Sequence, residues 1–291
     1  MKNWMKGIAV GVLALGLAAC NAPAEPKKDP ETGKEAELEE KSTLTAQQVY
    51  DKSVEASAKQ TSMQAKMNID QLIELPAQDI TMNSKIKMDM DMVIDPLAMY
   101  QKMDIDMGEQ GAMAMEIYMT EEGFFMNDPE SGQWIKLPGE MYEELVAGMA
   151  SGADPTLDMN MFKEFVEDFK FEQTDDEYIL KLSASGEKFS TLFKEIAMNN
   201  MPAGAEMGEE VTEVMENIEV TSLEYEIFID KETFYTNAFN MKMDMTMAVE
   251  GEEMRIDQKV NAKLSQINEI ETIVVPQEVL DNAVDMNDMA G

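Results

Sequence analysis

Three features of the sequence predict an α+β fold: a large curved antiparallel sheet wrapped around and covered by several helices. Apolar residues recur at every second position in several runs, some longer than ten residues, as expected of strands with one buried and one wet face. Compact Gly-, Pro- and Asp-containing turns separate many of these runs, so neighbouring strands should pair antiparallel in a meander. Helical spacing is confined to a segment before the strands, a stretch in the middle and a short piece near the end. Many long strands in one sheet twist and coil strongly. The helices are expected to cover the concave apolar face that results.

The first helix is expected over about residues 46–60. Thr45 as N-cap and Gln48 three residues on make a capping box, and Leu44 and Val49 occupy the staple positions. Val49, Ser53 and Ala56 fall on its inner face. At Met63 the period changes to 2. Met63, Ala65, Met67 and Ile69 alternate with polar residues, as do Ile86, Met88, Met90, Met92 and Ile94. Leu97, Met99, Met103, Ile105 and Met107 follow, then Met113, Met115, Ile117 and Met119. Turn signals lie at Asp95-Pro96, at residues 108–111, 121–123 and 128–132. Helices are expected at 138–150 and 160–169, strands at 169–173 and 178–184 across Asp175-Asp176, a helix at 188–199 and a loop at 200–210. Three alternating runs, 223–229, 239–249 and 254–264, precede a short helix at 277–284. The run IKMDMDMVID at 86–95 is echoed by MKMDMTMAVE at 241–250. An old duplication would explain the echo; one composition meeting the same demand twice explains it more simply.

The amino terminus reads as an address. Lys2 and Lys6 precede 13 uncharged residues, 7–19 (GIAVGVLALGLAA), too short to cross a bilayer comfortably and suited to a signal peptide. The run ends Leu17-Ala18-Ala19-Cys20, which resembles the bacterial lipobox. The resemblance implies cleavage between Ala19 and Cys20 and a diacylglycerol on the Cys20 sulfur; an ordinary secretory signal with a chance cysteine is the alternative. Two acyl chains suffice for stable anchoring, at about 0.8 kcal/mol per buried methylene. The segment after Cys20 is charged and Pro-rich and reads as a flexible tether. The expected organisation is therefore a signal peptide at 1–19, a lipidated tether at 20–43 and one domain at 44–291.

This order of leading helix, strands, middle helices and further strands resembles the LolA/LppX/LprG group of lipoprotein and lipid carriers, in which a half-open antiparallel barrel wraps around helices and holds acyl chains. It is more similar still to a family of Gram-positive lipoproteins sharing the lipobox, the charged spacer, a first helix like LTAQQVYDKSVEA, Met/Asp-rich strands and a closing helix like VPQEVLDNAV. The likeness spans residues 44–284. It implies a half-barrel on the extracytoplasmic face of the bacterial cell membrane with a binding role. It carries over no catalytic or ligand-contact residue.

Composition narrows the function classes. With 58 acidic and 23 basic side chains the formal net charge is −35, which argues against nucleic acid. The chain has no histidine, so Ser-His-Asp and Cys-His machinery and imidazole metal ligands are excluded. A single cysteine excludes an intrachain disulfide and a four-thiolate zinc site. No catalytic residue, cofactor or metal is therefore expected. Carboxylate pairs are unavoidable among 58 acids, and a carboxylate-based hydrolase is the weakest reading.

The 30 methionines have three readings: plain strand core, a plastic lining that accepts varied apolar partners, or a thioether Cu(I) site. The candidate cavity lining is Met67, Met88, Met90, Met92, Met241, Met243 and Met245. The interleaved Asp89, Asp91, Asp104, Asp106 and Asp244 should line the opposite, solvated face. Trp134 and Tyr118 belong either to a ligand mouth or to strand packing. The expected protein is a monomeric, membrane-anchored lipoprotein that binds a lipid or acyl chain without catalysis. The alternative is an acidic cell-surface scaffold with a closed core.

Overall fold

The computed structural model describes residues 23–28, 34–35, 37–38, 41–129, 131–150, 165–166, 168–185, 189–191, 194, 217–249 and 252–289. The expected signal peptide, Cys20, most of the expected helices at 160–169 and 188–199, and the loop at 200–210 lie outside the described residues.

The period-2 runs become strands, and among the described residues these form one 13-stranded sheet. In chain order they are β1 (Glu25–Pro26), β2 (Ser62–Leu75), β3 (Ile80–Val93), β4 (Ala98–Asp106), β5 (Ala112–Thr120), β6 (Gly123–Asn127), β7 (Trp134–Lys136), β8 (Lys170–Gln173), β9 (Glu177–Ala184), β10 (Glu219–Asp230), β11 (Thr236–Val249), β12 (Glu252–Ser265) and β13 (Val284–Asp285). Their spatial order is β1-β8-β9-β10-β11-β12-β2-β3-β4-β5-β6-β7-β13. Two antiparallel meanders, β2–β7 and β8–β12, thus join where β12 lies against β2. The parallel pairs are β1 on β8 and β13 on β7, so short pieces near the two ends of the chain close the two edges. β2, β3, β11 and β12 are 14 residues each, well beyond the usual five or six. The open curved sheet is the expected half-barrel.

Helix α1 (Ala46–Ser57) starts as its capping box requires. Thr45 Oγ1 accepts from the Gln48 amide at 3.2 Å, and Gln48 Oε1 accepts from the Thr45 amide at 3.0 Å. Its buried face is Ala46, Val49, Tyr50 and Ser53. It packs on β8–β11 in a core with Leu180, Leu182, Leu223, Tyr225 and Ile227, and Leu44 adds to that core from the helix entrance. Helix α2 (Gly139–Ala150) lays Tyr142 and Val146 on a second core of Met63, Ala65, Met90, Met92, Met99 and Met119. The Tyr142 hydroxyl donates to the Thr120 carbonyl at 2.6 Å.

Three expectations need correcting. Strand was expected only to Ile69 and again from Ile86, yet β2 runs to Leu75 and β3 starts at Ile80, around a turn with Asp79 at φ 56°. Gln71 on the apolar face and Leu72 on the wet one hide the alternation there. The closing helix α3 (Gln277–Asn282) is shorter than expected and does not cover the face used by α1 and α2. Its Val279, with Val275, packs on Phe125, Tyr118 and Trp134, which lie on the opposite face of β5–β7 by register. Finally, part of the expected tether belongs to the sheet: β1 pairs with β8, and Ala24 is buried.

Candidate functional site

Cross-strand register decides which side chains share a face. Met63 opposes Met92, Ala65 opposes Met90 and Met67 opposes Met88. Met241 opposes Val260, and Val260 opposes Ile69. Following such pairs across the sheet places all seven candidate lining residues on one face, the face covered by α1 and α2. Every methionine of β2–β6, β11 and β12 falls on that face. The rows are continuous. One runs Leu180–Ile227–Phe239–Ala262–Met67–Met88–Met103–Met115, and the next Leu182–Tyr225–Met241–Val260–Ile69–Ile86–Ile105–Met113. Neighbours in a row have Cβ atoms about 5 Å apart, so each row is an unbroken apolar strip.

Cover by the helices splits the candidate set. Met90, Met92 and Met243 are buried at 4%, 2% and 4% exposure and belong to the two cores. Met67, Met88, Met241 and Met245 are half-buried. So are Met103 and Met115, which the candidate set omitted. Near the β2–β3 and β4–β5 turns the strip opens further, to exposed Ile80, Met82 and Met113. A polar row runs beside these two apolar rows, where Gln258 opposes Gln71 and Gln71 opposes Ser84. No period rule announces this row, because it is made of single polar residues within three different alternating runs.

The opposite face is a charge lattice, as expected. Asp89 lies between Lys66 and Lys102, Asp104 opposite Lys87, and Asp106 opposite Lys85. Lys66 and Asp89 form an exposed ion pair at 3.5 Å. Asp91 accepts from Gln64 Nε2 at 2.8 Å. Asp244 faces Asp257 and accepts from Ser222 Oγ at 2.9 Å. Burial, then the Asp244 carboxylate, raises the Asp257 pKa. Trp134 and Tyr118 also lie on this side, in an aromatic ladder with Tyr100. Ring centroids are 4.7 Å apart for Tyr100–Tyr118 and 5.6 Å for Tyr118–Trp134. They are strand packing remote from the methionine strip, so the mouth reading fails for that strip. Burial and then Glu116 push the Tyr100 hydroxyl up to about 12, so it stays neutral at ordinary pH.

Two open recesses lie on the sheet. One of about 730 Å³ is lined by Phe189 and Leu223 together with Asp168, Ser183, Ser185 and Glu224. The other, of about 490 Å³, joins Ile105 and Met113 to Lys85, Lys87, Asp104 and Asp106. Both linings are mixed, so the apolar strip, more than either recess, is the candidate site. Among the described residues no His, Cys, Asp or Glu side chains group for a metal ion, and no helix is long and apolar enough to cross a membrane.

Comparison with curated proteins gives no match. Among solved structures, the lipoprotein LppX of Mycobacterium tuberculosis aligns at 10% identity and TM-score 0.38, covering 78% of this chain and 96% of that one. A putative outer membrane lipoprotein-sorting protein domain from Vibrio parahaemolyticus aligns at 10% identity and TM-score 0.27, over 81% and 98%. A DUF1329 family protein from Desulfovibrio piger aligns at 10% identity and TM-score 0.25, over 79% and 95%. A family profile matches residues 45–284, from the N-cap of α1 to β13, and the chain accordingly belongs to DUF6612, a family of unknown function.

Proposed function

We propose that this protein is a lipid-anchored, extracytoplasmic carrier that binds an acyl chain on its methionine strip without chemical catalysis. The observation that carries this reading is the strip itself: rows of apolar side chains cross eight strands, and the helices bury only part of them. Such a surface recovers about 25 cal/mol for each Å² of apolar area that a ligand covers. Methionine suits it because three rotatable bonds and a polarizable sulfur adapt to chains of different length and curvature. The polar row of Gln71, Ser84 and Gln258 supplies hydrogen-bonding groups beside the strip, where the carboxyl or ester end of such a ligand would find partners. The acidic surface keeps the module soluble beside the membrane, and Cys20 acylation keeps it there.

Native mass spectrometry of protein purified from cells, with lipid extraction of the same sample, tests the binding. A bound species of lipid mass, displaced by a fluorescent fatty-acid probe, is expected. A chain that carries no lipid and binds no such probe would leave the acidic surface scaffold as the better account. Cys20→Ala tests the anchor separately: the substituted chain should lose lipid label and membrane association.

A further inference from the structure

We infer that the anchored domain is held flush against its own membrane by a docked strap, with the β1–β8 edge as the surface that meets the bilayer. The inference rests on Cys20 being the acylated first residue of the mature chain. Taken from sequence alone, residues 20–43 form a tether that spans about 80 Å when extended. The structure takes most of that reach away. Pro23 bridges to Thr45, directly before α1. β1 then pairs with β8, with Glu25 opposite Glu172 and Pro26 opposite Gln173. Ala24 is 5% exposed and belongs to the core under α1.

Gln173 is the latch. It is 0% exposed and joins three points of the segment. Its Nε2 donates to the Ala24 carbonyl at 2.6 Å, and its Oε1 accepts from the Ser42 amide at 3.0 Å. Its backbone carbonyl accepts from the Lys27 amide at 2.8 Å. Lys231 Nζ holds the same Oε1 at 3.0 Å, and the Tyr178 hydroxyl donates to Ser42 Oγ at 2.7 Å. Both the outgoing and the returning part of the segment are thus fixed to one point of the sheet. A buried glutamine with this many partners is costly to strip, because each broken bond leaves a polar group without water. Only Asn21 and Ala22 separate Cys20 from Pro23, a leash of about 10 Å at full stretch. The β1–β8 edge therefore cannot leave the headgroup region while the strap is docked. The β4–β5 turn lies on the far side of β12 and β2 in the sheet order and has no such short link to Cys20.

The test uses the mature lipoprotein in vesicles that contain a headgroup-labelled quencher lipid. Acylation consumes the Cys20 sulfur, so an introduced cysteine is the one free thiol for a fluorophore. A label at Asp175→Cys, in the β8–β9 turn, should be quenched several-fold more strongly than one at Glu109→Cys, in the β4–β5 turn. Hydrogen exchange over residues 24–28 should be as slow as in β8, and Gln173→Ala should both speed it and narrow the difference in quenching. Equal quenching at the two labels, or free exchange over 24–28, on a chain whose N-terminal peptide carries the lipid mass, would overturn the inference and leave the anchor reading standing. An N-terminal peptide without lipid would overturn the anchor reading and the membrane placement with it. Slow exchange at 24–28 would in that case still identify the docked strap.

Discussion

The two halves of the apolar face are built from the same rows but from different residues. Under α1, Leu180, Leu182, Leu223, Tyr225 and Ile227 are at most 2% exposed, and the core is branched and aromatic. Beyond the β12–β2 junction the row of Leu180 and Ile227 continues as Met67, Met88, Met103 and Met115, half-buried, while the row of Leu182 and Tyr225 continues as Ile69, Ile86, Ile105 and Met113. Branched and aromatic side chains have few rotamers and fit one fixed partner well. Methionine keeps its options and loses less when the partner changes. The difference teaches that composition along the first row follows burial: branched and aromatic beneath α1, methionine where the side chains are half-buried.

The largest expected effect breaks this comparison at its closed end. Leu180→Ala should cost about 3 kcal/mol, because the removed atoms leave a cavity that α1 cannot collapse into. Met103→Ala on the open wing should cost about 1 kcal/mol or less, since solvent or a ligand fills the space. Urea midpoints at unchanged slope check both; equal losses would mean that the wing is as tightly packed as the core. The second effect sharpens the comparison from the ligand side. Met88→Gln keeps the shape of the side chain and adds a polar amide to the strip. It should weaken binding of a fatty-acid probe about fivefold, which corresponds to about 1 kcal/mol, while the melt stays cooperative. Met90→Asp and Met243→Asp are poorer tests, because a charge at those buried positions destabilises the core itself.

Much of this comparison is legible in the sequence. The capping box of Thr45 and Gln48 fixes where α1 starts, and strict alternation from Met63 to Ile69 and from Ile86 to Met92 fixes which residues share a face. Both signals are local. How deeply each methionine is buried is a tertiary property: Met90 and Met88 are two residues apart on one face, and Met90 belongs to the core that Tyr142 and Val146 of α2 pack against while Met88 is half-buried. The docking of residues 23–28 leaves no pattern either. Its sequence is polar and Pro-rich, and it is held through backbone groups and one distant glutamine. The echo between 86–95 and 241–250 places its two strands, β3 and β11, symmetrically about the β12–β2 pair. Each carries methionine inward and charge outward, which the demand of one face suffices to explain.

Acid pH separates two carboxylates outside the strip by sign. Glu172, buried on β8, is met by Lys170 at 2.5 Å and by Lys181 at 3.0 Å. Burial alone would raise its pKa, but the hydrogen bonds from Lys170 and Lys181 outweigh it and hold the value below the usual glutamate range. The unfolded chain therefore binds this proton more readily. The stability that Glu172 contributes is present above the unfolded glutamate value and is lost as pH falls through the lower, folded one. Glu172→Gln should flatten the acid limb of the stability curve. Asp257, raised by burial and by Asp244, has the opposite sign: its contribution is present below the unfolded aspartate value and is lost as pH rises through the folded one. Asp257→Asn should accordingly gain stability near neutral pH and little in acid. Urea midpoints from about pH 7 down to about pH 3 decide both, and a common slope for the two variants would contradict the assigned signs.

The smallest expected effect is the most discriminating, because it concerns adjacent residues of one strand. Met88 and Asp89 are neighbours on β3, and a strand sends neighbours to opposite faces. Asp89 pairs with Lys66 at 3.5 Å, and both side chains are 58% exposed. Such a pair is screened and holds two mobile side chains, so its net worth is small. The surrounding chain carries a formal charge of −35, so removing one more carboxylate also relieves repulsion. The two contributions oppose each other, and Asp89→Asn should move stability by less than about 0.5 kcal/mol and leave probe affinity unchanged. Set beside Met88→Gln, it separates the two faces without moving along the sheet. A loss of probe binding at Asp89→Asn equal to that at Met88→Gln would place the ligand's dominant contacts on the charged face, and the strip would then be core whose helical cover is thin.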